Sequence, residues 1–348
     1  MTLNFSLSRS LAALAVLFSC AWAEGLSAQD FRIEEVPSAA AVAPAQMKPG
    51  TIVFSDHRDD KLKDPGTGLI RFEDWARERP VQKRFLSLFP NYSEPVIKVT
   101  VHGIPKSYTE KLHMYVVEAR FLIDKPPGAI DLARYTRLDM LEKIDPTIKH
   151  RQITADQAHP HTDPQSAHNR HPERRWCEAP QSLCIESRYP LEGKLPVGVR
   201  LANKLEEGGK KISEFMEFQS ELRMLSPEAI DQSGLAKLTG LDAPVAGVLE
   251  QTLFDVNQVM QFGKLLAVLQ EHPSNKARTV ATVFMALAVE TDVLERKKEF
   301  ENVPVLRNLI PAQVLMGKSS FNSGNSISAG LPDYTRNRIR AFAGLLSG

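Results

Sequence analysis

The stretch that most restricts the fold lies between Leu265 and Glu290. Two apolar runs, Leu265–His272 and Arg278–Glu290, flank Pro273-Ser274-Asn275, a junction suited to a β-hairpin. The second run is rich in β-branched residues (Thr279, Val280, Thr282, Val283, Val289), and both of its alternating faces are apolar. Such a strand must be covered on both sides, which places it inside a sheet with a layer on each face. A buried helix is the competing reading, because periodicity alone does not separate the two in a short apolar run. Val280–Val289 reaches only about half of the roughly 20 residues that a membrane-spanning helix needs.

Other segments read in the same terms. Pro95–Val101, Lys111–Asp124 and Leu183–Tyr189 are dense in β-branched and apolar residues between turn signals and are expected as strands. Lys211–Leu225 fits a strand, with Ile212, Met216, Phe218, Leu222 and Met224 on one side. The alternative is a helix carrying Phe215, Phe218, Leu222 and Leu225, and the strand is favoured. Ile130, Leu132, Tyr135, Leu138, Leu141 and Ile144 predict a helix over 129–144. A second helix is expected over Phe72–Leu88, interrupted by Pro80. Gly330-Leu331 followed by Pro332 and Asp333 predicts a terminal helix starting at the proline. Its face of Leu331, Tyr334, Phe342, Leu345 and Leu346 suits docking on a sheet, with Arg336, Arg338 and Arg340 on the other side.

The first residues address the chain. Arg9, an apolar run from Leu11 to Cys20, and Ala21-Trp22-Ala23 form the three parts of a secretory signal peptide. The expectation is export to the periplasm or beyond, with cleavage after Ala23. Anchoring through a lipidated Cys20 is the lesser alternative, because Phe18 stands where a small residue is usual. Cleavage removes one basic and no acidic residue, leaving 42 of each. That balance gives no general attraction to nucleic acid or anionic lipid, and no later segment is long and apolar enough to span a bilayer. The segments read as follows: signal peptide 1–23, Ala/Pro-rich flexible tether 24–50, N-terminal α/β segment 51–110, and an α+β domain 111–348 with a His-rich loop over 151–176.

Few residues look chemical. Cys177 and Cys184 remain after cleavage, and in an oxidising compartment a disulfide is the simplest state for the pair. His159, His161, Asp163, His168 and His171 are metal-ligand types. Their spacing fits no specific motif, and Pro160, Pro164 and Pro172 oppose a rigid scaffold, so an exposed loop is favoured and no metal or cofactor is expected. Ala312–Ser319 matches only the loosest phosphate-loop pattern, without its glycine-rich middle. No nucleophile elbow, H-E-x-x-H or C-x-x-C occurs.

The order of elements carries a resemblance. Phe121-Leu122-Ile123-Asp124-Lys125-Pro126-Pro127-Gly128-Ala129-Ile130 leads from a strand into a helical segment, and Leu331-Pro332 opens the last helix. Over residues 111–346 this resembles the START-like, SRPBCC or polyketide-cyclase-like superfamily of helix-grip proteins. The resemblance implies an α+β fold in which an antiparallel sheet packs on a long C-terminal helix, preceded here by an N-terminal helical or extended segment. It also implies an apolar ligand held between sheet and helix, with Val283, Met285, Leu287, Tyr334 and Phe342 as candidate lining residues. The expected function is binding of an apolar or lipid-like small molecule, more in keeping with a non-enzyme. The alternatives are a hydrolase- or cyclase-like enzyme using the same cavity, or a tethered envelope interaction protein.

Overall fold

The computed structural model describes residues 31–56, 70–71, 96–101, 103–109, 112–146, 148–159, 175–180, 182–190, 215–225, 232–256, 260–290 and 326–348. Residues 1–30, the Phe72–Leu88 helix and the Ala312–Ser319 pattern lie outside them.

A meander whose first two strands bracket the His-rich region organises the molecule. Strands β7 (Lys149–Gln152), β8 (Ser182–Pro190), β9 (Phe215–Leu225), β10 (Val245–Val256), β11 (Met260–Glu271) and β12 (Thr279–Glu290) pair antiparallel in sequence order. β12 then pairs antiparallel with the earlier strand β6 (Leu112–Ile123). The last strand therefore lies beside the first, and a 22-residue helix, Ser326–Ser347 (α3 below), follows and packs on β6. This is the helix-grip arrangement. The sheet is extended past β6 by β2 (Thr51–Ser55), to which β1 (Arg32–Glu35) adds in parallel, while the short β3 (Ile70–Arg71) also pairs with β6. β4 (Val96–Val101) and β5 (Ile104–Thr109) form a separate hairpin. Two shorter helices, α1 (Leu138–Ile144) and α2 (Gln232–Thr239), complete the described elements.

The two-sided apolar run forms β12, and every residue from Thr279 to Ala288 is buried. On one face Val283, Met285 and Leu287 join Ile339, Phe342, Ala343 and Leu346 of α3 in the main core. On the other, Val280 packs with Ala39, Met47, Val53, Leu122 and Leu241. Lys211–Leu225 yields a strand, as favoured, over Phe215–Leu225. Cys177 and Cys184 are bonded, with Cα atoms 5.5 Å apart.

Four expectations need correction. Residues 33–50 are not a tether across the described part. β1 pairs with β2, and Ala39 and Met47 are buried. Backbone pairing and a few small apolar contacts order a segment whose composition alone argues for disorder. Residues 129–144 do not form one helix but two 3-10 turns, Pro127–Ala129 and Leu132–Thr136, followed by α1. The physical reason is in the spacing: Leu132, Tyr135, Leu138, Leu141 and Ile144 recur every three residues, which suits a 3-10 repeat over much of the segment. The Asp131 carboxylate also accepts from the Ala133 N–H and starts the second turn. The terminal helix begins at Ser326, so Pro332 lies inside it; its missing N–H removes one helical hydrogen bond without ending the helix. Finally, the three helix arginines do not share one exposed side, because Arg338 faces Gln251 on the sheet.

Candidate functional site

In an antiparallel sheet, directly opposed residues share a face. One concave row therefore runs Leu222, Gln251, Leu265, Met285, Val117 across β9, β10, β11, β12 and β6. The next runs Leu249, Ala267, Val283, Ala119, Phe54, and a third Leu253, Gly263, Leu287, Tyr115. Three of the candidate lining residues, Val283, Met285 and Leu287, occupy successive rows. Phe342 meets the same core from α3, in edge contact with Tyr135 at 5.3 Å between ring centroids. Tyr334 lies in α3, and its side chain is outside the described residues. The β6–β12 half of this floor is filled with side chains.

The β7–β10 half is different, because polar groups are set into it. Arg338 donates from Nη2 to Gln251 Oε1 (3.2 Å), and Gln251 Nε2 donates to Ser220 Oγ (3.1 Å). His150 Nδ1 lies 2.8 Å from Ser187 Oγ. Ser187, Ser220 and Gln251 are buried. Burial, followed by the nearby Arg338 charge, lowers the His150 pKa to about 4 against the opposing pull of Glu142 and Asp145, so its imidazole is neutral near pH 7. Burial likewise raises the Tyr135 phenol above its ordinary value.

A void of about 20 Å³ sits here between Tyr135, Leu141, Ile144, Leu222, Leu249, Gln251, Leu265, Arg338 and Phe342. It has room for about one water. An open recess of about 1000 Å³ lies beyond, bounded by Ala133, Thr136, Arg137, Leu138, Asp139, Gln152, Ser182, Leu183 and Met224. The two spaces share a partition. Leu141 packs against Leu183, Ile185 and Leu222, with Leu138 and Ile144 beside them, so α1 stands with Leu138 toward the recess and Leu141 and Ile144 toward the void.

The His-rich region is only partly described. His159 is exposed; its backbone N–H donates to Gln219 Oε1, and Nδ1 lies 2.5 Å from Asp255 Oδ2. That hydrogen bond raises its pKa. His161, Asp163, His168 and His171 lie outside the described residues. Among the described residues, no group of three or more His, Cys, Asp or Glu is placed to hold a metal ion.

Sequence reading missed Arg338, Gln251, Ser220, His150 and Ser187. Two faint signals were available. Gln251 interrupts the alternating Leu249 and Leu253, and Arg338 stands four residues before Phe342 and seven before Leu345, on the helix's apolar side.

The strand order decides the architecture. The chain has a helix-grip arrangement, an antiparallel sheet packed on a long terminal helix. No family model and no curated protein matches the sequence. Solved structures with a similar course include the ZhuI aromatase/cyclase from a Streptomyces species, at 9% identity and TM-score 0.34 over 67% of this chain and 94% of that one. The lipid transfer and protein localization domain of human StarD13 aligns at 6% identity and TM-score 0.32 over 78% and 98%. Norcoclaurine synthase from Thalictrum flavum, solved with dopamine and hydroxybenzaldehyde, aligns at 9% and 0.27 over 60% and 90%. In this chain, no helix among the described residues is long and apolar enough to cross a membrane.

Proposed function

We propose that this chain is an exported protein that binds an apolar or lipid-like small molecule between the concave face of the sheet and α3. The observation that carries this reading is the partitioned interior: an apolar floor with a few convergent polar groups, a one-water void on one side of α1 and an open recess on the other. A ligand site has that composition, mostly apolar with a small number of placed polar groups. The void alone is too small for such a ligand. Binding in this reading requires α1 and its two 3-10 turns to swing aside, joining void and recess. Val283, Met285, Leu287 and Phe342 then form the deep wall, with Leu222, Leu249 and Leu265 nearer the entrance. The Cys177–Cys184 disulfide supports an oxidising compartment.

Native mass spectrometry of protein purified without detergent tests this reading. Added mass that vanishes on denaturation is expected. A bare mass, together with no mass shift after incubation with medium- and long-chain alkanols, would sink it.

A further inference from the structure

Hydrogen-bonding groups line part of the void. Arg338 brings five N–H donors, and one of them reaches Gln251 Oε1. The Gln251 amide group donates onward to Ser220. Tyr135 also lines the void, and its hydroxyl has no hydrogen-bond partner among the described residues. Donors from Arg338, Gln251 and Tyr135 thus converge on a space otherwise walled by Leu141, Ile144, Leu222, Leu249, Leu265 and Phe342.

The neighbouring arginines on α3 show what is unusual about Arg338. Arg336 is 2.5 Å from Glu35 and 5.1 Å above the Phe54 ring. Arg340 is exposed and donates to Asn337. Arg338 alone of the three lines the interior, and it forms no ion pair with a carboxylate among the described residues. Arg338 is half-buried and keeps N–H groups beyond the one that Gln251 takes, so an anion entering the void can pair with it at the edge of the apolar wall.

We infer that the site takes an amphiphile with a single anionic head, a monocarboxylate of the fatty-acid type, whose carboxylate pairs with Arg338 and whose chain lies along Leu222, Leu249 and Leu265. The inference rests on the ligand-binding reading above. A planar guanidinium matches a carboxylate through two parallel hydrogen bonds. A single cation lines the void, and the nearby His150 imidazole is neutral, which suits one negative charge rather than a phosphate dianion.

The test compares straight-chain carboxylates of eight, twelve and sixteen carbons (by choice of probe, roughly spanning the fatty-acid range) with the alcohols of equal length. Binding is followed by calorimetry and native mass spectrometry at neutral pH. The acids should bind roughly tenfold or more tightly than the matched alcohols, the scale of a charge-assisted pair. Arg338→Gln should abolish that preference, bringing the acids down to the affinity of the matched alcohols measured on the same variant. Arg338→Lys, which keeps charge and helix, should retain part of the preference and guards against a folding defect in the first variant. Equal binding of acids and alcohols by the unmodified protein overturns the head-group assignment and leaves the apolar cavity standing. A preference that survives Arg338→Gln does the same. Binding of neither series overturns both.

Discussion

His150 is the residue whose environment is most out of keeping with its intrinsic chemistry. Desolvation comes first among the causes of its depressed pKa of about 4 and Arg338 second, while Glu142 and Asp145 pull the other way and Lys149 adds to the lowering. In the unfolded chain the ring titrates near its ordinary value of about 6.5. Between these two pH values the unfolded state binds more protons, so stability rises with pH across the window. The contribution is complete above about pH 6.5 and is lost as pH falls toward 4. For a half-buried ring it amounts to at most about 3 kcal/mol. His150→Asn should flatten the dependence of unfolding free energy on pH between about 4 and 6.5. An unchanged slope in urea titrations would show that the ring is not held neutral. Neither this residue nor Arg338 stood out in the sequence, for one reason. Their character comes from neighbours brought together across the sheet and helix, and a period-based reading assigns a face without saying what stands opposite.

At the scale of elements, legibility followed burial. β6, β8, β9, β11 and β12 were readable because their own side chains fill the core, and alternation or two-sided apolarity records that. Residues 33–50 and 129–144 were misread because their order is imposed from outside, by β2 pairing in the first case and by the floor beneath in the second. The contact at Gly247 shows how closely the second segment is seated. A Cβ built there would lie 2.7 Å from Leu132 Cδ1. Gly247→Val should therefore push Leu132 and the turn Leu132–Thr136 off β10, at a cost of about 1–3 kcal/mol. If residues 127–146 move as the proposed gate, amide hydrogen exchange should accelerate there and leave β11 and β12 protected. A uniform increase across the sheet would mean that the segment opens only with the whole fold. Val283, Met285 and Leu287 on β12 and Phe342 on α3 share one core cluster. The polar half of the floor was not foreseen, because a polar residue between two leucines reads as noise until its partners are known.

At the scale of the molecule, one buried arginine on the opposite face joins parts of the chain that the sequence keeps far apart. Arg120, on β6, is 1% exposed. Its Nη1 donates to the Val42 carbonyl at 3.2 Å and its Nε to Thr282 Oγ1 at 3.3 Å, while Nη2 donates to the Thr239 carbonyl at the end of α2. A single side chain thus ties the amino-terminal segment, α2 and β12 to the central strand, with the added advantage that a cation sits at a helix carboxyl end. Glu118, two residues away on the same face, is buried too. Desolvation raises its pKa, and the Arg120 charge and the Ala39 and Ala40 backbone lower it. Glu118 Oε1 has no hydrogen-bond partner among the described residues, and the Arg120 charge acts on that carboxyl through space. Removing the cation alone leaves the buried carboxyl without it, while replacing both groups does not, so the two arms of a mutant cycle should differ in kind. Arg120→Met should cost about 3–5 kcal/mol in urea unfolding, since it removes the cation acting on Glu118 and frees four acceptors at once, the Ala40, Val42 and Thr239 carbonyls and the Thr282 hydroxyl. Glu118→Gln combined with Arg120→Met should cost less than Arg120→Met alone, the difference being the uncompensated carboxylate. A double variant as unstable as the sum of the single ones would locate the stabilisation in the Val42, Thr239 and Thr282 contacts instead. Arg120 would then act as a clamp on remote segments, with its charge incidental.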